Sequence, residues 1–321
     1  MYQLKPSGRP QATTILKLAI DGGNRFIKVS GAGDEILLPS YLAKADFRDS
    51  DAIHYEAGDR LDLVGRRWYV GESAKFKNGR AIFYSEKSDL MSEMVLGILP
   101  KLMSSAETIN IASLNLCLPD GFNQTQNQEL IANLKGYHNI SGKSYRIGSV
   151  SIHPEGAAAY PYLFNSGVFK YARNNGIIDL GGGNSTGILV SPYGQPIWES
   201  KITLPGTIAL AKMVGNHQDL VGIEAKGNTP RLEIIMDAIA TDRKYGSVRD
   251  ISQAIDDCLP DFLTDIKSAI LTQWAPWISD MGEMAIVGGS ASLFHSLATQ
   301  NQRIKICEDA QWANCRGMLC K

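Results

Sequence analysis

No excess of one charge sign marks this chain: 32 Lys plus Arg stand against 33 Asp plus Glu, a net charge of −1. Nonspecific nucleic-acid affinity needs a basic excess or a clustered basic face, and neither is visible, so no direct nucleic-acid partner is expected. Cysteine is sparse and poorly spaced for chemistry. Cys117, Cys258, Cys307, Cys315 and Cys320 are odd in number and contain no CxxC pair. That argues against a zinc site and a disulfide framework, and for reduced thiols in a cytoplasmic compartment. No apolar run reaches the roughly 18 residues of a membrane span, so no membrane partner is expected. The opening M-Y-Q-L-K-P-S-G-R-P-Q-A-T-T holds two prolines and no apolar core. It fits neither a signal peptide nor an amphipathic anchor and reads as a loose tail. Low-complexity segments are lacking too. What is present is ordinary in amount: 321 residues, 44% hydrophobic and 20% charged. That suffices for two domains of about 150 residues, each with its own core.

Strands and helices alternate. Residues 15–20, 25–30 and 35–38 predict three short strands in an antiparallel meander. Residues 41–85 are mixed and polar, with turn signals at Ala57-Gly58-Asp59 and Asn78-Gly79, and read as a small inserted subdomain with edge strands around Trp68-Tyr69-Val70. Apolar residues at 90, 91, 94, 95, 98, 99, 102 and 103 predict an amphipathic helix. A strand over 109–118, a helix at about 125–135 and a strand at about 145–152 complete the first half.

The second half repeats the theme. Strands at 176–180, 186–190 and 196–203 form another meander, followed by helices at about 206–215 and 230–241. A longer helical region follows Ser247, a plausible N-cap, and Pro260 should kink or divide it. A strand at 284–287, a helix at 291–298 and a strand at 303–307 close the pattern.

Within that repeat lies a repeated turn. L-A-I-D-G-G-N-R-F-I-K-V (18–29) and I-I-D-L-G-G-G-N-S-T-G-I-L-V (177–190) place Asp21 and Asp179 before glycine turns at the head of each half. Such a turn leaves backbone N–H groups exposed, and without Cβ atoms a phosphate comes close to them. A carboxylate aimed at the same spot repels phosphate unless a cation intervenes, which suggests Mg²⁺ with its waters. Either turn alone reads equally as an ordinary hairpin, since Asp-Gly and Gly-Asn are common turn residues. The pair, each opening a half-molecule, favours two turns gripping one polyphosphate.

Two further segments bear on chemistry. M-A-I-V-G-G-S-A-S-L (284–293) reads as strand, Gly-Gly-Ser turn and helix; glycine before a helix lets a nucleotide lie flat on backbone amides, although close strand–helix packing explains the same residues. In V-S-I-H-P-E-G-A-A-A-Y (150–160), Pro154 fits the first position of a helix and Glu155 its first turn, with Gly156-Ala157-Ala158-Ala159 allowing close packing. Glu155 reads either as an acid aimed at the strand end or as a solvated carboxylate. His153 reads as a satisfied loop or core histidine.

Taken in order, D-G-G-N, H-P-E-G-A-A-A, D-L-G-G-G-N-S and V-G-G-S-A resemble the phosphate-1, connect-1, phosphate-2 and adenosine motifs of the actin–Hsp70–sugar-kinase ATPase superfamily. A-N-C-R-G-M-L (313–319) is similar to its connect-2 helix, so the resemblance runs from about residue 15 to the end. The short length, the small insertion and the A-N-C-R-G-M ending resemble the prokaryotic actin-like proteins, ParM-type plasmid-segregation and archaeal forms. G-G-S-A stands where G-G-G-A is common.

The resemblance implies an α/β fold of two similar RNase H-like (actin-fold) domains around an interdomain nucleotide cleft. Domain I would comprise 14–158 and 307–321, with a small insertion at about 41–89, and domain II 159–306. It further implies that Gly22, Gly23, Asn24 and Lys28 hold the phosphates of ATP or ADP from one side and Gly181, Gly182, Gly183 and Asn184 from the other. Gly288, Gly289 and Ser290 would back the adenosine, Asp21 and Asp179 would bind Mg²⁺, and catalytic Glu155 would position the attacking water. The implied function is a cytoplasmic ATPase that forms head-to-tail filaments with itself in ATP and disassembles on hydrolysis, segregating plasmid or other DNA through a DNA-binding adaptor protein. The alternative is a small-molecule kinase of the same superfamily, although those enzymes often carry a shorter aspartate where this chain has Glu155. An Hsp70-like module would need a peptide-binding domain for which a chain ending at Lys321 leaves no room.

Overall fold

Apolar runs on both sides of the two glycine turns pair as antiparallel strands, and each pair grows into a sheet. The computed structural model describes residues 12–31, 33–81, 87–102, 104–119, 124–170, 173–220, 222, 224, 229–246 and 248–320. Residues 1–11 of the opening tail, Met103 and Ser247 lie outside the described residues, while Ala12–Thr14, expected to be loose, begin the first strand and pair with Thr108–Asn110. The chain divides into two units, Met1–Pro154 and Glu155–Lys321.

In the first unit β1 (Ala12–Gly22), β2 (Phe26–Gly31) and β3 (Asp34–Pro39) form the expected meander. The insertion supplies β4 (Tyr41–Lys44), β5 (Ile53–Gly58), β6 (Arg67–Val70), helix α1 (Glu72–Phe76) and β7 (Arg80–Ala81). Helix α2 (Lys87–Ile98), β8 (Thr108–Leu118), α3 (Gln124–Leu134), β9 (Gly136–Ile140) and β10 (Lys143–Pro154) follow. The ten strands make one sheet, in the order β3-β2-β1-β8-β10-β9-β5-β6-β4-β7. Its parallel centre is in register, so Asp21, Cys117 and His153 stand side by side at the ends of β1, β8 and β10. Leu18, Ile20, Ile27, Ile109, Leu114 and Leu116 pack with Met94, Leu96 and Leu130 of the helices into one core.

The insertion extends this sheet instead of standing apart from it, because β5 pairs antiparallel with β9. A buried polar contact marks that seam. His138 Nε2 lies 2.9 Å from the Leu134 carbonyl, so that nitrogen carries the proton, and Nδ1 accepts from the Tyr55 hydroxyl at 2.9 Å. Desolvation pushes the His138 pKa down and the Tyr55 pKa up, which keeps both neutral.

The second unit opens with a 3-10 turn (Ala157–Ala159) and α4 (Tyr160–Asn165), then the meander β11 (Asn174–Asp179), β12 (Asn184–Val190) and β13 (Pro196–Pro205). Helices α5 (Thr207–Gly215) and α6 (Leu232–Ala240), the ribbon β14 (Lys244–Tyr245) and β15 (Arg249–Asp250), and α7 (Ser252–Gln273) come next. Strand β16 (Met281–Val287), a 3-10 turn with α8 (His295–Gln300), β17 (Ile304–Ile306) and α9 (Ala313–Leu319) complete it. Its sheet runs β13-β12-β11-β16-β17, with β11, β16 and β17 parallel. The first unit has the same arrangement in β3-β2-β1-β8-β10. The fold is thus two similar α/β units, as the sequence implies.

Both faces of the second sheet are covered, which is why I-I-D-L carries no polar alternation. Ile178, Leu180 and Ile286 pack against α5, α6 and α7, while Ile177, Ile188, Ala285 and Val287 pack against α4 and α9. Trp274 anchors the first face. Its ring lies against Gly176 and Gly187, where an added Cβ would come within 2.8 and 3.3 Å of it, and its Nε1–H donates to the Ser200 carbonyl at 2.7 Å. Glycine in those strands therefore makes room for an indole.

One local expectation is corrected and another is narrowed. Pro154 does not start a helix: it ends β10, and Glu155 lies in a turn before Gly156, whose φ of +79° is open to glycine and costly for other residues. Pro260 does not divide α7, which runs unbroken through it. The carbonyl that loses its amide partner belongs to Asp256, on the exposed face of the helix. The closing helix α9, which the resemblance assigns with the first domain, packs here on the 3-10 turn at Ala157–Ala159 and on α4.

Candidate functional site

At the head of the first sheet, β1 ends in the carboxylate of Asp21, which is 3% exposed. Antiparallel register places Lys28 of β2 opposite it, and Lys28 Nζ meets Asp21 Oδ2 at 3.0 Å. The turn between them is built without side-chain bulk for steric reasons. A Cβ on Gly22 would lie 2.3 Å from the Met91 methyl, and one on Gly23 2.6 Å from the Phe26 carbonyl and 3.0 Å from the Lys28 ammonium. Ser40, wholly buried, ties the turn down: its hydroxyl donates to the Gly23 carbonyl at 2.5 Å and its N–H to Arg25 O at 2.9 Å. Asn24 sits half-buried in the same turn. His153 Nε2 lies 3.2 Å from Asn115 Oδ1.

The second unit repeats the arrangement with different fastenings. Asp179, 8% exposed, ends β11, and Asn314 of α9 donates Nδ2–H to its Oδ2 at 2.7 Å. The glycine loop is held from within and behind. Gly181 N–H donates to Ser185 Oγ at 3.2 Å; the Gly181 and Gly182 carbonyls accept from Thr207 N–H at 3.0 Å and Ile208 N–H at 2.8 Å. Helix α5 thus spends its first amides on the loop, fixing its peptide planes. Gly206 makes this possible, since a Cβ there would fall 2.5 Å from Gly183.

A third segment joins the second. Leu180 N–H donates to the Val287 carbonyl at 2.9 Å, and Gly288 turns at φ +92°, where a Cβ would lie 2.5 Å from both Asp179 Oδ1 and the Leu180 carbonyl. Ser290 Oγ meets Thr207 Oγ1 at 2.5 Å, and Thr207 Oγ1 also donates to Gly181 O at 3.3 Å. Around Gly289 there is open space, with nothing within 4 Å of an added Cβ. The turn carrying Glu155 belongs to this group: Glu155 is half-buried, and a Cβ on Gly156 would lie 3.9 Å from the Asp179 Cβ.

Asp21, Gly22, Gly23, Asn24 and Lys28 therefore assemble in the first unit, and Asp179, Gly181, Gly182, Gly183, Asn184, Gly288, Ser290 and the Glu155 turn in the second. Sequence reasoning missed Ser40, Gly206, Thr207 and the contact of Asn314 with Asp179. Gly206-Thr207 between a strand and a helix was a readable signal. Ser40 carried none.

Among the described residues, no group of three or more His, Cys, Asp or Glu side chains is placed to hold a metal ion. Magnesium does not require one, since it keeps several waters and binds through one or two carboxylates plus phosphate oxygens. Asp21 in the first unit and Asp179 in the second are each a single buried carboxylate at a glycine turn, the kind of donor such a cation takes, and the open space at Gly289 is free of side-chain bulk. No helix among the described residues is long and apolar enough to cross a membrane.

Residues 19–157 match the family model for the N-terminal domain of actin-like proteins. The structure is similar to the actin-like protein Alp7A, with a TM-score of 0.75 and 14% identity over 96% of each chain. It is similar to the archaeal actin homologue Ta0583 in complex with ADP, with a TM-score of 0.73 and 17% identity over 94% of this chain and 97% of that one. It is also similar to the chain of a 15-stranded ParM filament from Clostridium botulinum, with a TM-score of 0.68 and 17% identity over 96% and 98%. No curated protein matches the chain in sequence.

Proposed function

From the actin-like fold of this chain, whose residues 19–157 match the actin-like N-terminal domain, we propose that it is an ATPase that polymerises head-to-tail in ATP and disassembles on hydrolysis. The observation that carries this reading is the duplication: a buried aspartate followed by a glycine turn heads the equivalent strand of each of two similar sheets. In this reading both turns hold one Mg·ATP. Gly22, Gly23, Asn24 and Lys28 take the phosphates from the first unit, and the amides of Gly181 to Asn184 take them from the second. Gly288, Gly289 and Ser290 support the adenosine. Asp21 and Asp179 hold Mg²⁺, which when bound neutralises phosphate charge. The solved relatives support the reading, one being an ADP complex and another a filament.

The chain's own residues supply positioning more than covalent chemistry, as phosphoryl transfer requires. Glu155 orients a water for in-line attack and takes its proton, since its reach exceeds that of an aspartate. Ser40, Thr207 and Ser290 keep the turns from relaxing. A phosphate held by both units favours a closed form and its loss an open one, so a neighbour that docks better on the closed form makes assembly depend on ATP. A heterologous contact that does not close into a ring yields a filament. With a net charge of −1, DNA cargo would be attached by an adaptor protein.

Sedimentation and light scattering of the purified chain with ATP, ADP, GTP or no nucleotide test this. Polymer that forms above a critical concentration in ATP and decays as phosphate is released is expected; Glu155→Ala should still polymerise but persist. Phosphate transfer to a sugar or carboxylate without sedimenting polymer would replace this reading with that of a small-molecule kinase.

A further inference from the structure

Asp179 is gripped by the last helix of the chain. Asn314, itself only 4% exposed, reaches back 135 positions to donate Nδ2–H to Asp179 Oδ2 at 2.7 Å. The helix that carries it is fixed at three further points. Gly317 lies against the Ala158 carbonyl, where a Cβ would come to 2.0 Å. Arg316 Nη1 donates to the Tyr162 hydroxyl at 3.1 Å and to Asp309 Oδ2 at 2.9 Å, with its guanidinium 5.5 Å from the centre of the Tyr162 ring. The other carboxylate oxygen, Oδ1, lies over the Gly288 turn. One oxygen is thus set by the C-terminal helix while the other faces the segment that the nucleotide reading places beside the ligand.

A charge-neutral amide stops a carboxylate from rotating without offsetting its charge, whereas an ammonium such as that of Lys28 on Asp21 does both. We propose that Asn314 is a positioning residue for magnesium, orienting Asp179 toward the cation of a bound Mg·nucleotide. The proposal rests on the nucleotide reading above and adds to it a residue from the chain terminus. Partners that orient a ligating carboxylate are worth about 10–100-fold in metal affinity.

The test uses the full chain and a fluorescent ADP analogue, with anisotropy followed during a MgCl₂ titration and separately in EDTA. Asn314→Ala is expected to raise the magnesium concentration at half-effect about tenfold while leaving the affinity in EDTA at the wild-type value. Asn314→Leu, close in shape and without a donor, should do the same, and it carries the comparison if the alanine variant fails to fold in a thermal melt. An unchanged magnesium midpoint in either folded variant overturns the proposal. So does a loss of affinity equal in EDTA and in magnesium, which marks a merely structural side chain. A wild-type chain that binds no analogue under either condition overturns the nucleotide reading itself.

Discussion

Gly317→Ala sets two rules of opposite sign against each other. Gly317 lies inside α9, and by helix propensity alone alanine there should stabilise by about 1 kcal/mol. The structure predicts the reverse. The new Cβ would lie 2.0 Å from the Ala158 carbonyl oxygen and 3.0 Å from both the Ala158 carbonyl carbon and the Ala159 Cα. All three are backbone atoms, so no rotamer change relieves the overlap, and α9 must move away by more than an ångström to restore a contact of roughly 3.5 Å. Overpacking of this kind costs about 1–3 kcal/mol. The shift also stretches the bond from Asn314 to Asp179, and a hydrogen bond to a charged group is worth about 1.5–3 kcal/mol. After the propensity gain is subtracted, a net loss of about 1.5–5 kcal/mol remains. In a unit spanning Glu155–Lys321 that corresponds to a fall in Tm of roughly 3–20 °C. Differential scanning calorimetry of the full chain measures it. A Tm that is unchanged or raised would refute the packing argument and show that propensity decides at this position.

Two other perturbations probe the interior. His138 has its pKa pushed below the ordinary 6.5 chiefly by burial, so the unfolded chain takes up the proton first. Its contribution is therefore full above about pH 6.5 and is lost as pH falls below that value; in urea melts from pH 7.5 to 5.5, His138→Gln should flatten the decline, and a slope equal to wild type would exclude His138 as its source. Thr207→Val keeps the shape and removes the hydroxyl that meets Ser290 and Gly181. It should weaken binding of the ADP analogue on the order of fivefold, about 1 kcal/mol, and an unaltered affinity would mean that the hydroxyl bridge does not hold the loop.

Much of the site was legible because turns carry local chemistry. D-G-G-N and D-L-G-G-G-N have few other solutions between apolar runs, and the structure places both at strand ends as the spacing requires. Lys28 was implied only by the family resemblance; the structure adds that antiparallel pairing across the short turn puts it opposite Asp21. What escaped was either conformational or distant. The helix predicted at Pro154 failed because proline's missing N–H is tolerated equally at a strand end, and the positive φ of Gly156 that forbids a helix start is not written in its neighbours. Strand β9 was missed because five residues, G-Y-H-N-I, are too few for a firm alternation. Asn314 read as part of a motif, yet its partner lies 135 positions earlier, beyond any periodicity.

The seam between β5 and β9 has a consequence for anyone who would trim this protein. Because the insertion continues the central sheet, excising residues 41–81 would strip β9 of its outer neighbour and bare a row of peptide groups beside the buried His138 and Ile140. Such a naked border invites foreign strands to anneal, so a minimal version lacking the insertion is expected to clump even without nucleotide.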